Sequence, residues 1–370
     1  MALIIVNALS LRPGGGLQVI TGLLTRFDVS NHYQVLWSDP GSYAFMSERL
    51  KDKKNVSFVQ AIQKTDNLSV FLWQMRKLKH YLKVNKADLL LSVNHHFPTG
   101  SVPQVIYHLT VLRFERPKML PFSISEIADR LRDWRTRQSL RLAAANVFES
   151  RFLLAKAASV RAKISNPKVI YIGLENGAKK TTKDPNVNRD PVIIALTSPQ
   201  PHKDNPTLIC VLARLIELRP DIKWRLKIAG GRSPDAFADL IHLAEELGIS
   251  ENIEWLGFLS HEDLQKIGHK CLCLVSTSKV ESFNMVAVEA MSWPCATIVA
   301  NTSSMPESVG DAGLLAKPGD AFDFADKVLM LWDDRDLMRD ILNKGMTHSR
   351  RMTWANAANE FEDIFKELVD

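Results

Sequence analysis

Two carboxylates, Glu281 and Glu289, stand eight positions apart in the segment 275–320, VSTSKVESFNMVAVEAMSWPCATIVANTSSMPESVGDAGLLAKPGD. The residues before Glu281 read as the end of a strand, and Met285 onward reads as a helix. The pair therefore straddles a loop-to-helix junction. A helix start exposes unpaired N–H groups and a partial positive charge, which together hold phosphate. One carboxylate lies before that start and the other about one and a half turns inside it, so they can grip hydroxyls on either side of a bound diphosphate. That is the chemistry of holding a nucleotide-sugar. A single Glu pair is more often two surface side chains on an ordinary strand-loop-helix unit; the length of this block argues for more.

With its E-x7-E spacing, its SFNMVAVEAM body and its PESVGDAGLL continuation, the segment resembles the donor-binding signature of the family-4 (group 1) retaining glycosyltransferases, which have the GT-B fold. The resemblance implies that Glu289 holds the ribose hydroxyls. It implies that Glu281 holds hydroxyls of the transferred sugar, with the backbone of Phe283, Asn284 and Met285 beside it. In PQPHKDNPTL (199–208), it implies that Lys203 neutralises the donor diphosphate. Many members also carry an Arg five positions earlier; here that position is Ser198, and Arg232 after Gly230-Gly231 is a candidate helper. The loop Gly257-Phe258-Leu259 is similar to one that packs along the nucleobase and offers it backbone contacts. In PQVIYHLTVLRF (103–114), His108 corresponds to a strand-end residue set against the transferred sugar, although a lone His at a strand end is more often structural.

Gly14, Gly15 and Gly16 follow the first strand-like run and precede an apolar helix carrying Leu17, Ile20, Leu23 and Leu24. Successive glycines let backbone amides approach a bound group closely. There is no G-x-x-x-x-G-K-[ST] and no G-x-G-x-x-G here, which removes a P-loop and a dinucleotide fingerprint. The loop resembles the first loop of GT-B transferases, which faces the donor diphosphate and the acceptor.

These groups need a scaffold, and the chain is long enough for two domains. It has 370 residues, 46% apolar and 24% charged, a globular composition. Short β-rich runs alternate with helical ones: 3–7, 33–37, 56–59, 88–93, 104–108, 146–149 and 168–172, then 192–196, 225–229, 253–256, 272–276 and 296–300. That alternation implies parallel sheets covered on both faces. The expected fold is α/β of the GT-B type, two doubly wound Rossmann-like domains with a cleft between them. The domains are placed at 1–175 on the acceptor side and 191–350 on the donor side, joined by the polar linker 176–190. A terminal helix, 351–370, is expected to cross back to the first domain, with Thr353 as its cap and Trp354, Ala358, Phe361, Phe365 and Leu368 at helical spacing.

Charge is divided unevenly. Residues 1–165 carry 24 Lys+Arg against 11 Asp+Glu, while the remainder is acidic on balance. The first half is therefore expected to face something anionic. Within it, FLWQMRKLKHYLKVNK (71–86) reads as one basic amphipathic helix, with Phe71, Leu72, Met75, Leu78 and Leu82 on a single face and Arg76, Lys77, Lys79, Lys83 and Lys86 around it. Such a helix suits an anionic membrane interface, and equally suits packing on its own domain. No apolar run reaches the roughly 18 residues of a membrane span, and MALIIVNALS reads as a first strand, not a signal peptide. Cys210, Cys271, Cys273 and Cys295 read as reduced core residues without zinc.

The leading reading is a retaining transferase that moves a sugar from a UDP- or GDP-sugar to a hydroxyl of a glycan or lipid-linked acceptor in bacterial cell-surface polysaccharide synthesis. It is expected in the cytoplasm, peripheral on the inner membrane, with no cofactor and no divalent metal; nucleic acid is not an expected partner. Other GT-B activities (epimerase or phosphorylase) and a catalytically silent GT-B scaffold are the alternatives.

Overall fold

The computed structural model of the chain describes residues 1–63, 65–111, 114, 124–160, 162–174, 188–231 and 234–369. The chain divides into two compact units, Met1–Glu175 with Thr353–Asp370, and Asn176–Met352.

The first unit is built on seven parallel strands: β1 (Leu3–Asn7), β2 (His32–Trp37), β3 (Val56–Gln60), β4 (Leu89–Val93), β5 (Gln104–His108), β6 (Ala145–Phe148) and β7 (Pro167–Val169). Their order is β3-β2-β1-β4-β5-β6-β7. The second unit carries six parallel strands: β8 (Asp190–Leu196), β9 (Arg225–Ala229), β10 (Ile253–Gly257), β11 (Cys271–Ser276), β12 (Ala296–Ala300) and β13 (Leu314–Ala316), ordered β10-β9-β8-β11-β12-β13. In each sheet the order reverses once, between β1 and β4 and between β8 and β11. Loops leaving the carboxyl ends of strands at such a point diverge and open a crevice.

Strand composition follows position in the sheet. β11 is CLCLVS and buried at every residue, as a central parallel strand covered on both faces must be. The helix Asn205–Leu218 then buries Leu208, Ile209, Val211, Leu212 and Leu215 along one stripe. Cys271, Cys273 and Cys295 pack in this interior as free thiols, and burial holds the Cys295 thiol up at about 12. β13 is the one strand absent from the sequence reading.

The terminal helix Trp354–Val369 belongs to the first unit. The Thr353 hydroxyl accepts from the Asn356 amide at 3.1 Å, capping it. Phe361 and Phe365 pack on Phe27, and Phe361 on Tyr107. Glu362 is buried among them, where its carboxylate accepts from the Asp28 amide and the Tyr33 hydroxyl.

The segment 71–86 departs from expectation. It forms two helices, Asn67–Arg76 and Leu78–Val84, broken at Lys77. The buried face is Val70, Gln74, Leu78 and Leu82, while Leu72 and Met75 are exposed. The cause is a tertiary amide pair: Asn7 Nδ2 donates to Gln74 Oε1 at 2.8 Å, and Gln74 Nε2 donates to the Val70 carbonyl. A satisfied glutamine can be internal, and its burial turns the helix away from the face that hydropathy selects. Among the described residues, no helix is long and apolar enough to cross a membrane.

Candidate donor site in the second unit

Lys203 and Glu281 come from the loops after β8 and β11, the two strands at the reversal point of the second sheet. Lys203 Nζ lies 2.7 Å from Glu281 Oε1, and the two side chains are 20% and 14% exposed. The Ser278 hydroxyl donates to the same oxygen at 2.8 Å. One residue after Lys203 and two before Glu281, a second pair runs with opposite sign: Lys279 Nζ lies 2.8 Å from Asp204 Oδ1. The Lys279 amide donates to the His202 carbonyl at 2.7 Å, and the Thr277 hydroxyl serves the carbonyls of Lys203 and Asp204. Five hydrogen bonds thus knit the two loops together. A third loop, after β12, fixes the Glu281 backbone: its amide donates to Ser303 Oγ and its carbonyl accepts from Ser304 Oγ.

The helix Met285–Ser292 begins three residues after Ser282, with Asn284 as its N-cap in the left-handed conformation. Its first amides and Lys203 lie on the loops of one crevice, an arrangement that favours an anion. Glu289 sits inside that helix, partly exposed, and its carbonyl accepts from the Ser292 hydroxyl. Phe283 is buried and Met285 partly so. Ser198 is partly buried at the end of β8, where its carbonyl accepts from Asn205 Nδ2. Beside it, Gly230 approaches the Thr197 carbonyl so closely that no side chain fits, and its φ of 117° suits only glycine. At the end of β10, Gly257 is left-handed; beyond it Phe258 is 84% exposed and Leu259 partly buried. Arg232, the candidate helper, lies outside the described residues, as does most of the linker 176–190.

The structure therefore brings Lys203, Glu281 and the start of the Met285 helix together, with Ser198, Phe258, Leu259 and Glu289 on loops or helices of the same unit. Sequence reasoning missed Asp204, Lys279, Ser278, Ser303 and Ser304. Ser278 acts on Glu281 within its own loop, while the partners of the other four lie far off in sequence and only the strand order brings them together.

In the first unit, Gly15 and Gly16 open the helix Gly15–Leu24 after Gly14, and a Cβ at Gly15 would touch nothing. The loop is tied by Arg12, whose guanidinium donates to the carbonyls of Leu9, Leu11 and Thr65. His108 ends β5 but is 1% exposed. Its Nε2 lies 2.9 Å from Asn146 Oδ1, and its ring stacks on Phe148 at 4.7 Å. Asn146 Nδ2 already donates to the carbonyls of Leu140 and Ser165, so Oδ1 faces the ring and Nε2 carries the proton. In this arrangement the ring is a packing element between strands.

Among the described residues, no three His, Cys, Asp or Glu side chains gather as a metal cluster would require.

Comparison with known proteins places this geometry. The sequence model of the family "Glycosyl transferases group 1" matches residues 177–348. A D-inositol 3-phosphate glycosyltransferase of Corynebacterium aurimucosum is 31% identical over 174 residues, 46% of this chain and 41% of that protein. The serotype-specific mannosyltransferase WbdA of Escherichia coli is 28% identical over 182 residues, 49% of this chain and 22% of that protein. The chain thus spans well under half the length of these curated relatives. Among solved structures, HepE of Anabaena in complex with UDP-glucose superposes over 100% of both chains with a TM-score of 0.76 at 18% identity. A glycosyltransferase from Rickettsia africae does so over 100% and 99% with 0.75 at 14%. These likenesses establish the fold as GT-B. The match to the group 1 glycosyltransferases is carried by residues 177–348, within the second unit.

Proposed function

We propose that the protein transfers a sugar from a nucleotide-diphospho-sugar to a hydroxyl of a glycan or lipid-linked acceptor, with retention at the anomeric carbon and without a divalent metal. The observation that carries the proposal is the meeting of Lys203 and Glu281 beside the N-terminus of the Met285 helix, at the strand reversal of the second sheet. In the transfer, the bond from the anomeric carbon to the β-phosphate oxygen breaks, and negative charge gathers on the leaving diphosphate. Lys203 and the helix amides are the fixed donors that meet it. The acceptor hydroxyl bonds to the same face of the carbon, and its proton passes to a leaving phosphate oxygen. Glu281 then orients sugar hydroxyls and Glu289 the ribose. Among the relatives named above, WbdA is a mannosyltransferase and HepE binds UDP-glucose, and both support this reading. His108 is left out of it, because its ring is enclosed by Phe148 and Asn146.

A thermal-shift panel of UDP, GDP and ADP with their common sugars tests the proposal and identifies the base, since a ligand of the folded state raises its melting temperature by mass action. Glu289→Ala is expected to weaken nucleotide binding about tenfold. Glu281→Ala should instead lower turnover while leaving nucleotide affinity nearly unchanged. Normal binding and turnover in both variants would overturn the assignment. Inversion at C2 of the donor sugar without acceptor would point to an epimerase.

Peripheral attachment to an anionic bilayer is a further part of the proposal. Leu68, Leu72 and Met75 form an exposed stripe at helical spacing, and Arg76, Lys77, Lys79, Lys83 and Lys86 are all exposed nearby. Basic side chains near such a surface contribute about 1 kcal/mol each. The full chain should sediment with phosphatidylserine-containing vesicles and not with neutral ones. The double substitution Leu72→Glu, Met75→Glu should reduce the bound fraction several-fold; unchanged recovery removes the membrane argument.

A further inference from the structure

We propose that Asn284 reads hydroxyls of the donor's transferred sugar through its side-chain amide, an inference that rests on the nucleotide-sugar reading above. Asn284 has φ 72° and ψ 57°, a left-handed conformation in which glycine is the default residue and asparagine is tolerated. It caps the helix Met285–Ser292, yet its side chain makes no bond to that helix. Elsewhere in the chain the caps Ser150, Ser260, Asp320 and Asp334 all accept from helix amides. The Asn284 side chain does something else.

Asn284 is 4% exposed, and both its Oδ1 and its Nδ2 are shut off from water with no hydrogen-bond partner. A buried amide with neither end satisfied is costly, and glycine would give the same backbone without that cost. The unmet groups define what would satisfy them. A phosphate only accepts, so it leaves Oδ1 unpaired. Hydroxyls both donate and accept, and a neighbouring pair on a sugar matches both ends of the amide. Asn284 stands three residues from Glu281, whereas Glu289 lies more than a turn further along the helix. The transferred sugar, and not the ribose, is therefore the assigned partner.

The Lys203–Glu281 pair supplies the means of access. With Lys203 Nζ on Glu281, the Glu281 carboxylate is occupied. A bound diphosphate competes for Lys203 and releases Glu281 from it; the Glu281 backbone stays held by Ser303 and Ser304, and the Asn284 amide reaches the sugar by turning about its own side-chain bonds.

The test uses the full chain and whichever of UDP, GDP and ADP stabilises the wild type most. Asn284→Gly keeps the left-handed backbone without strain, so its ligand-free melting temperature should equal or exceed that of the wild type. Its affinity for the nucleotide-sugar should fall about tenfold, while its affinity for the free nucleoside diphosphate stays within about twofold. Donors lacking one sugar hydroxyl provide a second measurement. At least one should bind the wild type more weakly than the intact donor does, yet bind the glycine variant as well as the intact donor. Equal nucleotide-sugar affinity in variant and wild type, or the absence of any such donor, overturns the role of Asn284 and leaves the transferase reading standing. Failure of the wild type to bind any of the three diphosphates would instead defeat the transferase reading, and this inference with it.

Discussion

Replacing Lys203 by alanine should lower kcat/KM at least about a hundredfold, the usual consequence of deleting one fixed donor aimed at developing charge. The effect is expected to be large because the side chain has little help. On the proposed reading Ser198 occupies the place where group 1 transferases often have an arginine, which leaves Lys203 and the amides of the Met285 helix, with Arg232 as the candidate helper, to meet the diphosphate. The same substitution should destabilise the ligand-free protein. It leaves the Glu281 carboxylate, 14% exposed, with the Ser278 hydroxyl and no cation. Removing one partner of a fully buried pair costs about 3–5 kcal/mol; for this partly solvated pair about 1–3 kcal/mol is expected. A double variant separates the two effects. Lys203→Ala with Glu281→Ala removes the stranded charge, so it should recover part of the stability and none of the activity. Lys203→Ala turning over within about fivefold of wild type would remove Lys203 from the chemistry, whatever its effect on melting.

The pairing of Lys203 with Glu281 also shows which parts of the site a sequence can carry. The E-x7-E block was legible because both carboxylates and the helix start lie in one continuous segment. The resemblance singles out Lys203 in its own loop, but the contact of Lys203 with Glu281 is set by β8 and β11 lying side by side in the sheet. The reversed pair Asp204–Lys279 has no signature in either loop read alone, since its 75-residue separation is closed only by that same strand pairing. His108 is the opposite case. A histidine at a strand end reads alike whether it faces a ligand or a neighbour, and it is Asn146 on the adjacent strand that decides.

Fold elements follow the same division. The strand bounds at β5, β9 and β12 were legible because each short β-rich run meets a turn residue at one end, Pro103 before β5, Gly230 after β9 and Asn301 after β12. β13 was not, because three residues at a sheet edge carry too little period to register. The segment 71–86 misled because its buried face includes Gln74, and no hydropathy pattern selects a helix glutamine whose partner is Asn7 at the end of β1.

The terminal helix carries the largest stability effect expected outside the site. Gly22, on the buried face of the helix Gly15–Leu24, lies against the indole of Trp354 at the start of the helix Trp354–Val369. A Cβ at Gly22 would stand 2.6 Å from the indole Nε1 and closer still to two ring carbons. The indole is itself buried and has little room to yield: a Cβ at Gly173 would in turn strike the backbone at Trp354. Gly22→Ala should therefore cost about 3 kcal/mol, at the upper end of what one added methyl does to a packed interior. Alanine is the better helix former by up to about 1 kcal/mol, so propensity alone predicts the opposite sign. The sign of the change decides between them. Chemical unfolding should show the loss, and limited proteolysis should cut between 345 and 360 sooner in the variant. A stabilised Gly22→Ala protein would mean that the indole moves aside, and that Trp354 does not hold the terminal helix in the way its burial implies.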